Sequence, residues 1–498
     1  MAICALGAAG LVLPAAAAAR TDAPRAPARL DVPRDLRVVS YYPADAGWTR
    51  MWEPWRPARL TADLRRLRTL NANTVRVVVS PPFFGYPVPA WRYTDRLREL
   101  VEIASREGLH VQLTLFDWWD EYGDVAGSKR WARALLTPYI DDARIALVEL
   151  RNELDAADAA ALAWTRELVP WLRTLLRGRT PVTLSVGWRN ALADLRTLRT
   201  RLPARSRPDF YTAHYFTGGG EIAGDTFRRL RDVVAPAPLW VGELGYPTST
   251  TRSGYAGMPL TRSAQEAAQA HYLRLGFAAA RRLGLPAPGI WILDDFVPGA
   301  IPASDVSPHE PEYTFGLFRN DGSAKPAAAV VRRLFGGGRD ERFNGGFEQA
   351  VQGDDGSALP AAWSIGLDRL AVVRDTAVAR TGSASTRISS PADVAGSALL
   401  TLAPVDGAPR PGRRAVLTAW LKSSYGTGRI RLRVDWFDGG DRRVGGSSRH
   451  LTMPSGGRWT PLAVSSRPPP EAAFARIAVE AWSFGGTAWV DDVDFAWR

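Results

Sequence analysis

The chain has 498 residues, a hydrophobic fraction of 46%, a charged fraction of 23% and a formal net charge of +12. That balance excludes a disordered or collagen-like chain and supplies enough apolar material for two or more domains. The positive charge is almost all arginine, since lysine occurs only at Lys129, Lys325 and Lys422, and it is interleaved with Asp and Glu along both halves. It therefore reads as a solvated surface, and no nucleic-acid-binding motif accompanies it.

An apolar run at 3–13 holds the only cysteine, Cys4, and is followed by Ala17-Ala18-Ala19 ahead of Arg20. It reads as a secretory signal peptide over 1–19, although no Lys or Arg precedes it, and implies a secreted protein whose mature chain has no disulfide. No other stretch approaches the roughly 18 apolar residues of a membrane span. After a Pro-rich leader, 20–34, come eight apolar runs of strand length, at 36–42, 74–80, 110–116, 145–150, 181–186, 210–216, 239–244 and 290–293. Most are continuously apolar, the pattern of strands covered on both faces of a parallel sheet. Helical patterns lie between them at 60–70, 96–107, 131–139, 156–176, 191–202, 226–234 and 265–282, with a last one at 327–335. Eight alternations of strand and helix predict an α/β fold, a (β/α)₈ TIM barrel over 35–335, with its site at the C-terminal ends of the strands. A Gly-rich linker, 336–341, follows. Over 342–498, short alternating runs such as 415–421 and 430–437, separated by Gly, Pro, Ser and Asp clusters, predict an all-β sandwich or jelly roll.

Two glutamates stand where a predicted strand gives way to polar and glycine residues. Glu153 closes Ala146-Leu147-Val148-Glu149-Leu150-Arg151-Asn152-Glu153, and Glu243 lies within Leu239-Trp240-Val241-Gly242-Glu243-Leu244-Gly245. Two carboxyl groups facing across a cleft are the machinery of glycoside hydrolysis: one protonates the leaving oxygen, and the other, ionised, acts at the opposite side of the sugar. On the strand count the pair ends strands four and seven, facing across the barrel mouth. Plainer readings compete. Asn152 or Asp155 would cap the next helix with Glu153 in its first turn, and Glu243 would be a buried partner of an arginine. Asp294 and Asp295 form a rival acidic pair after strand eight, but tandem neighbours on a strand point to opposite sides. Asn152 is placed to hydrogen-bond a substrate hydroxyl. Aromatics after the strand ends, among them Trp48, Trp118 and Trp188, suit the flat faces of sugars; Trp118 and Trp119 are adjacent, so only one of them is expected to face the cleft.

Residues 36–335 resemble clan A glycoside hydrolases, most closely family 5. The match is carried by Asn73-Thr74-Val75-Arg76 on strand two, Arg151-Asn152-Glu153 on strand four, His214 with Tyr215 on strand six, Gly242-Glu243-Leu244-Gly245 on strand seven and Trp291 on strand eight. The resemblance implies a retaining double displacement on β-glycosidic bonds of a polysaccharide or oligosaccharide, with Glu153 as acid/base, Glu243 as nucleophile and no catalytic cofactor. It implies that Arg76 holds Glu243 ionised, that Trp291 floors the subsite beside the scissile bond, and that Asn152, His214, Tyr215 and Trp118 support or bind substrate. The chain departs from the family at strand six, where His-x-Tyr is usual and Phe216 takes the tyrosine's place, and at strand three, whose end at 116–120 lacks the usual histidine. A silent carbohydrate-binding protein on the same scaffold, and an exo-acting glycosidase or transglycosylase of the same clan, stand as alternatives.

The C-terminal unit begins Phe343-Asn344-Gly345-Gly346-Phe347-Glu348 and ends Trp489-Val490-Asp491-Asp492-Val493-Asp494-Phe495. These ends resemble those of jelly-roll carbohydrate-binding modules, which implies a structural calcium held by Glu348 and Asp492. The expectation for the whole chain is a monomer with a carbohydrate partner, no nucleic acid and no membrane span.

Overall fold

The computed structural model describes residues 28–498 apart from 217–222, 252–260, 303–309, 338–344, 348–349, 353–357, 361–362, 369, 391–395, 406–411, 439–441 and 453–456. The signal segment 1–19, most of the linker and Glu348 lie outside the described residues.

The first half alternates strand and helix as the apolar runs predict. Strands β1 (Val38–Ser40), β2 (Thr74–Val78), β3 (His110–Thr114), β4 (Ile145–Glu149) and β5 (Val182–Thr183) form one parallel sheet in that order, and β6 (Ser185–Val186), β7 (Tyr211–Tyr215) and β8 (Leu239–Leu244) form a second. The predicted run 181–186 is thus divided, with Leu184 between β5 and β6. The eighth run contributes no full strand. Instead Ile290 makes parallel bridges to both Val39 of β1 and Leu244 of β8, backed by hydrogen bonds from Ser40 N to Ile290 O and from Ile290 N to Val38 O, both 2.9 Å.

Every residue of β1, β2, β3, β4, β7 and β8 is buried. Helices cover these strands because their apolar residues recur on one face. In α3 (Trp91–Arg106), after α1 (Pro57–Thr69) and the short α2 (Pro81–Phe84), the buried residues include Tyr93, Leu97, Leu100, Val101 and Ala104, a spacing of three and four. The same logic places α4 (Val125–Leu136), α5 (Ala159–Leu175), α6 (Ala191–Arg201), α7 (Ala223–Val234), α8 (Arg262–Arg282) and α9 (Pro326–Phe335). Each fully buried Leu or Val in this interior contributes about 1.5–3 kcal/mol over an exposed one. The leader is not all linker: Leu30 and Val32 pack on Leu36, Val38, Phe210 and Trp240, and Arg29 donates to the Asp141 carbonyl at 2.8 Å.

The C-terminal half is antiparallel sheet. After β9 (Ala350–Gln352) and β10 (Ala358–Pro360) come β11 (Ser364–Asp368), β12 (Ala371–Asp375), β13 (Ser385–Ser389), β14 (Gly396–Val405), β15 (Ala415–Phe437), β16 (Arg443–Thr452), β17 (Thr460–Ser466) and β18 (Phe474–Trp497). The predicted runs 415–421 and 430–437 are one strand. β15 and β18 pair from Ala415↔Trp497 to Phe437↔Phe474, with register shifts between Ser423 and Tyr425 and between Thr427 and Arg429. One end of this ribbon carries β17 and β13, the other β16 and β14. Side chains from both ends, such as Leu417 and Val490 with Leu432 and Ile477, join one buried cluster.

Candidate active site

Glu243 owes its position to a bulge. Ala213 pairs with Val241, but His214 pairs with Glu243, so Gly242 is the extra residue on β8. A β-bulge re-aims the side chain that follows it. Only glycine fits, since a Cβ at Gly242 would lie 2.4 Å from the Thr212 methyl. Glu153 lies beyond β4 with φ of 47°, a left-handed conformation that non-glycine residues adopt chiefly where surrounding contacts impose it. Here Ser185 supplies that contact, with Glu153 N donating to Ser185 Oγ at 2.9 Å and Leu154 N to the Ser185 carbonyl at 2.8 Å. The capping alternative for Glu153 does not hold. Helix α5 starts at Ala159, and its N-cap is Asp158, which accepts from Ala160 N and Ala161 N.

Both glutamates converge on His214. Its Nδ1 is 2.8 Å from Glu153 Oε1 and 3.4 Å from Glu243 Oε2, so the two carboxylate oxygens lie within the sum of those distances of each other. Arg76 holds the floor. Buried, it donates from Nε to Glu149 Oε2 at 2.8 Å, from one terminal nitrogen to Glu243 Oε1, and from the other to Asn152 Oδ1 at 2.7 Å. The arginine-partner reading of Glu243 is therefore correct as geometry, but the carboxylate also faces open space. A cleft of about 760 Å³ is lined by Glu153, Glu243, Asn152 and Arg76 together with Tyr42, Trp48, Trp118, Trp188, Phe216 and Trp291.

The environments of the two glutamates differ. Glu243 is 6% exposed at its side chain and Glu153 is 40% exposed. Burial raises the Glu243 pKa, and the charges of His214 and Arg76 offset that only in part. Burial also raises Glu153, but the hydrogen bond and charge of His214, with Arg76, outweigh it and leave Glu153 below its ordinary value. For His214 burial acts downward; the charge of Glu243 and the bond to Glu153 overcome it and raise the imidazole pKa. The opposite shifts of His214 and Glu153 favour a proton on the imidazole over one on Glu153.

Trp291 lines the cleft with its ring edge-on to Tyr42 at 6.0 Å and Trp48 at 5.9 Å, while Tyr42 and Trp48 stack at 5.5 Å. Trp118 is 44% exposed in the cleft wall, whereas Trp119 turns inward against Tyr86 and Phe116, so one member of the pair faces the cleft. Tyr215 does not belong to the site. Strand alternation sends it to the far side of β7, where it packs on Phe227 of α7 and Tyr272 of α8, and Phe216 lines the cleft instead.

Two residues that the strand-end pattern misses also matter. Glu149, inside β4, accepts from Arg76, from Gln112 at 3.0 Å and from Thr114 at 2.6 Å; burial raises its pKa, but Arg76 chiefly outweighs this and holds it ionised. Its parity with Arg76 on the inward face was the available signal. Glu312 is a further carboxyl of the cleft, beside Glu153, Glu243 and Asp117, its pKa raised by burial and by the charges of Glu243 and Glu153. It follows strand eight at a distance that no strand-end rule covers.

In the C-terminal half, Asp492 accepts from the Arg380 guanidinium and Thr381 Oγ1, and the adjacent buried Asp491 accepts from Arg380 N at 2.7 Å. A calcium at Asp492 would have to displace that guanidinium, and among the described residues no group of three or more His, Cys, Asp or Glu is placed to hold a metal ion. No described helix is long and apolar enough to cross a membrane.

No family model and no curated protein matches the chain. Among solved structures it is similar to the exo-β-1,4-mannosidase Op5Man5 from Opitutaceae bacterium strain TAV5, at 21% identity and a TM-score of 0.49, over 60% of this chain and 59% of that one. A GH5_18 protein from Bifidobacterium longum subsp. infantis matches at 17% identity and a TM-score of 0.49, over 66% of this chain and 85% of that one. A β-glucuronidase from Ruminococcus gnavus matches at 15% identity and a TM-score of 0.45, over 60% and 49% of the two chains.

Proposed function

We propose that the protein is a secreted glycoside hydrolase of the family 5 type, cleaving β-glycosidic bonds with retention of configuration. The observation that carries this is the shared contact of Glu153 and Glu243 with one ring nitrogen of His214, at 2.8 and 3.4 Å, on the wall of an open aromatic cleft. Carboxyl groups about 5–5.5 Å apart act by double displacement, whereas a separation of about 6.5–9.5 Å leaves room for an attacking water. Two oxygens held on a single nitrogen fit the shorter spacing. In this mechanism Glu243 attacks the anomeric carbon as Glu153 passes a proton to the glycosidic oxygen, and the leaving sugar departs with that proton. Water then gives a proton back to Glu153 as its oxygen displaces Glu243. Arg76 stabilises the ionised Glu243, and His214 stores the proton that Glu153 delivers.

The supporting scaffold in this proposal is a (β/α)₈ barrel closed through Ile290, followed by a jelly-roll module formed by folding the β15/β18 ribbon over one core. Reaction with an activated 2-deoxy-2-fluoro glycoside, drawn from a panel of glycones, tests the mechanism. One label per chain is expected, on the peptide containing Glu243. Labelling elsewhere, or undiminished turnover by Glu243→Gln, would overturn the assignment.

A further inference from the structure

Among the described residues three arginines line the cleft, and they differ in what holds them. Arg76 is saturated by Glu149, Glu243 and Asn152. Arg151 is paired with Asp117 at 3.3 Å and donates to the Asn152 carbonyl. Arg189 is exposed; its guanidinium lies 4.5 Å from the centre of the Trp188 ring, and among the described residues it meets neither a carboxylate nor a carbonyl. This cation–π contact holds the guanidinium over the indole and leaves its N–H groups available to a planar carboxylate.

The place of Arg189 has a local cost. It stands just ahead of α6, whose N-terminus is the positive end of the helix dipole, and its neighbour, the N-cap Asn190, makes no side-chain capping bond. A basic residue there disfavours the helix by a few tenths of a kcal/mol, so helix stability does not account for it. The loop also stands beside the proposed acid. A Cβ on Gly187, next to Trp188, would lie 3.2 Å from Glu153 Oε2. Trp291 and Glu312 belong to the part of the chain that follows Glu243. In a glycosidase the acid meets the bridging oxygen, so the loop beside the acid stands next to the leaving group.

Resting on the hydrolase reading above, we propose that Trp188 and Arg189 form a carboxylate-binding subsite for the leaving-group sugar, so that the substrate carries a uronic acid unit beside the scissile bond. The unit's ring lies along the indole edge, and its carboxylate takes the guanidinium fork. A neutral sugar of the same shape leaves that cation unanswered.

Two measurements keep failure of this inference distinct from failure of the hydrolase reading. The first needs no turnover: binding of sodium glucuronate and of the isosteric neutral glucuronamide is followed by tryptophan fluorescence in the wild type, Arg189→Gln and Arg189→Lys. Glucuronate is expected to bind roughly tenfold more tightly to the wild type, with the preference lost in Arg189→Gln and partly kept in Arg189→Lys. Equal binding of the two probes, or a preference that survives Arg189→Gln, overturns the subsite. The second compares kcat/KM for 4-carboxyphenyl and 4-carbamoylphenyl β-glycosides of one glycone. Their ratio is expected to fall about tenfold in Arg189→Gln, and because the comparison is between variants, the intrinsic leaving-group difference cancels. Hydrolysis of both with an unchanged ratio sinks the subsite and leaves the hydrolase standing. Failure to hydrolyse any glycoside sinks the hydrolase, while the binding measurement still decides the subsite.

Discussion

Two pairs of carboxylates lie near the ends of apolar runs in this molecule, Glu153 with Glu243 and Asp294 with Asp295, and the contrast between them shows what makes an acidic pair a candidate for chemistry. Burial pushes both aspartates up to about 6. Yet both are committed. Asp294 is clamped by Arg66 at 2.7 and 2.6 Å, and Asp295 by the buried Lys325 at 2.7 Å and by Gly316 N at 2.8 Å. They point to separate partners on either side of the strand, as tandem neighbours must. The glutamates come from different strands, share one imidazole and front a cleft. A shifted pKa marks a buried carboxyl, and convergence on open space marks a site.

Substitution of each pair separates the two roles. Glu153→Gln keeps the side chain's shape and removes the proton donor, so turnover of unactivated glycosides is expected to fall about 10²–10⁴-fold, the usual worth of general acid catalysis. For glycosides with good leaving groups kcat/KM should fall far less, because their first step needs no protonation, although kcat still falls where Glu153 must take the proton of the attacking water; kcat/KM on the two substrate classes reads the difference. An equal loss on both classes would remove Glu153 from the acid's role. Asp295→Asn has the opposite signature. Leaving the Lys325 ammonium buried and unpaired costs about 3 kcal/mol, which a denaturant titration detects as a lower midpoint. Activity per folded molecule should stay at the wild-type level; a loss there without a loss of stability would make the aspartates the functional pair.

The strands of the N-terminal half were legible because their apolar runs are continuous, and the helices because theirs recur at three and four. The eighth run was not, since Ile290 alone pairs and Trp291 turns to the cleft. Parity along β7 already placed Tyr215 on the outer face once His214 was taken as inward. Only the family resemblance drew it into the site, and packing on Phe227 and Tyr272 returns it to the core. Glu149 interrupts an apolar run and is hard to see from pattern alone, yet it shares Arg76 with Glu243. Glu312 carried no signal, because loop paths over the cleft are set by packing between distant segments. The bend that makes one strand of 415–437 was hidden by the break in alternation that it causes.

The smallest of these effects concerns where the proton sits. His214 has a raised pKa in the folded chain, so its interaction with the glutamates is fully present below pH 6.5, its ordinary value, and is lost as pH rises through the higher folded value. If Glu153 draws its proton from that imidazole, the alkaline limb of kcat/KM belongs to the pair and lies above pH 6.5. In His214→Gln the group that chiefly lowers Glu153 is gone, so the carboxyl's own pKa rises from its depressed value. The proton is then held by a carboxyl alone, and the alkaline limb should move to lower pH. The acidic aspartates provide the control: Asp295→Asn should leave the limb in place. A limb that stays put in His214→Gln would mean that Glu153 keeps its own proton and that the imidazole only positions the two carboxylates.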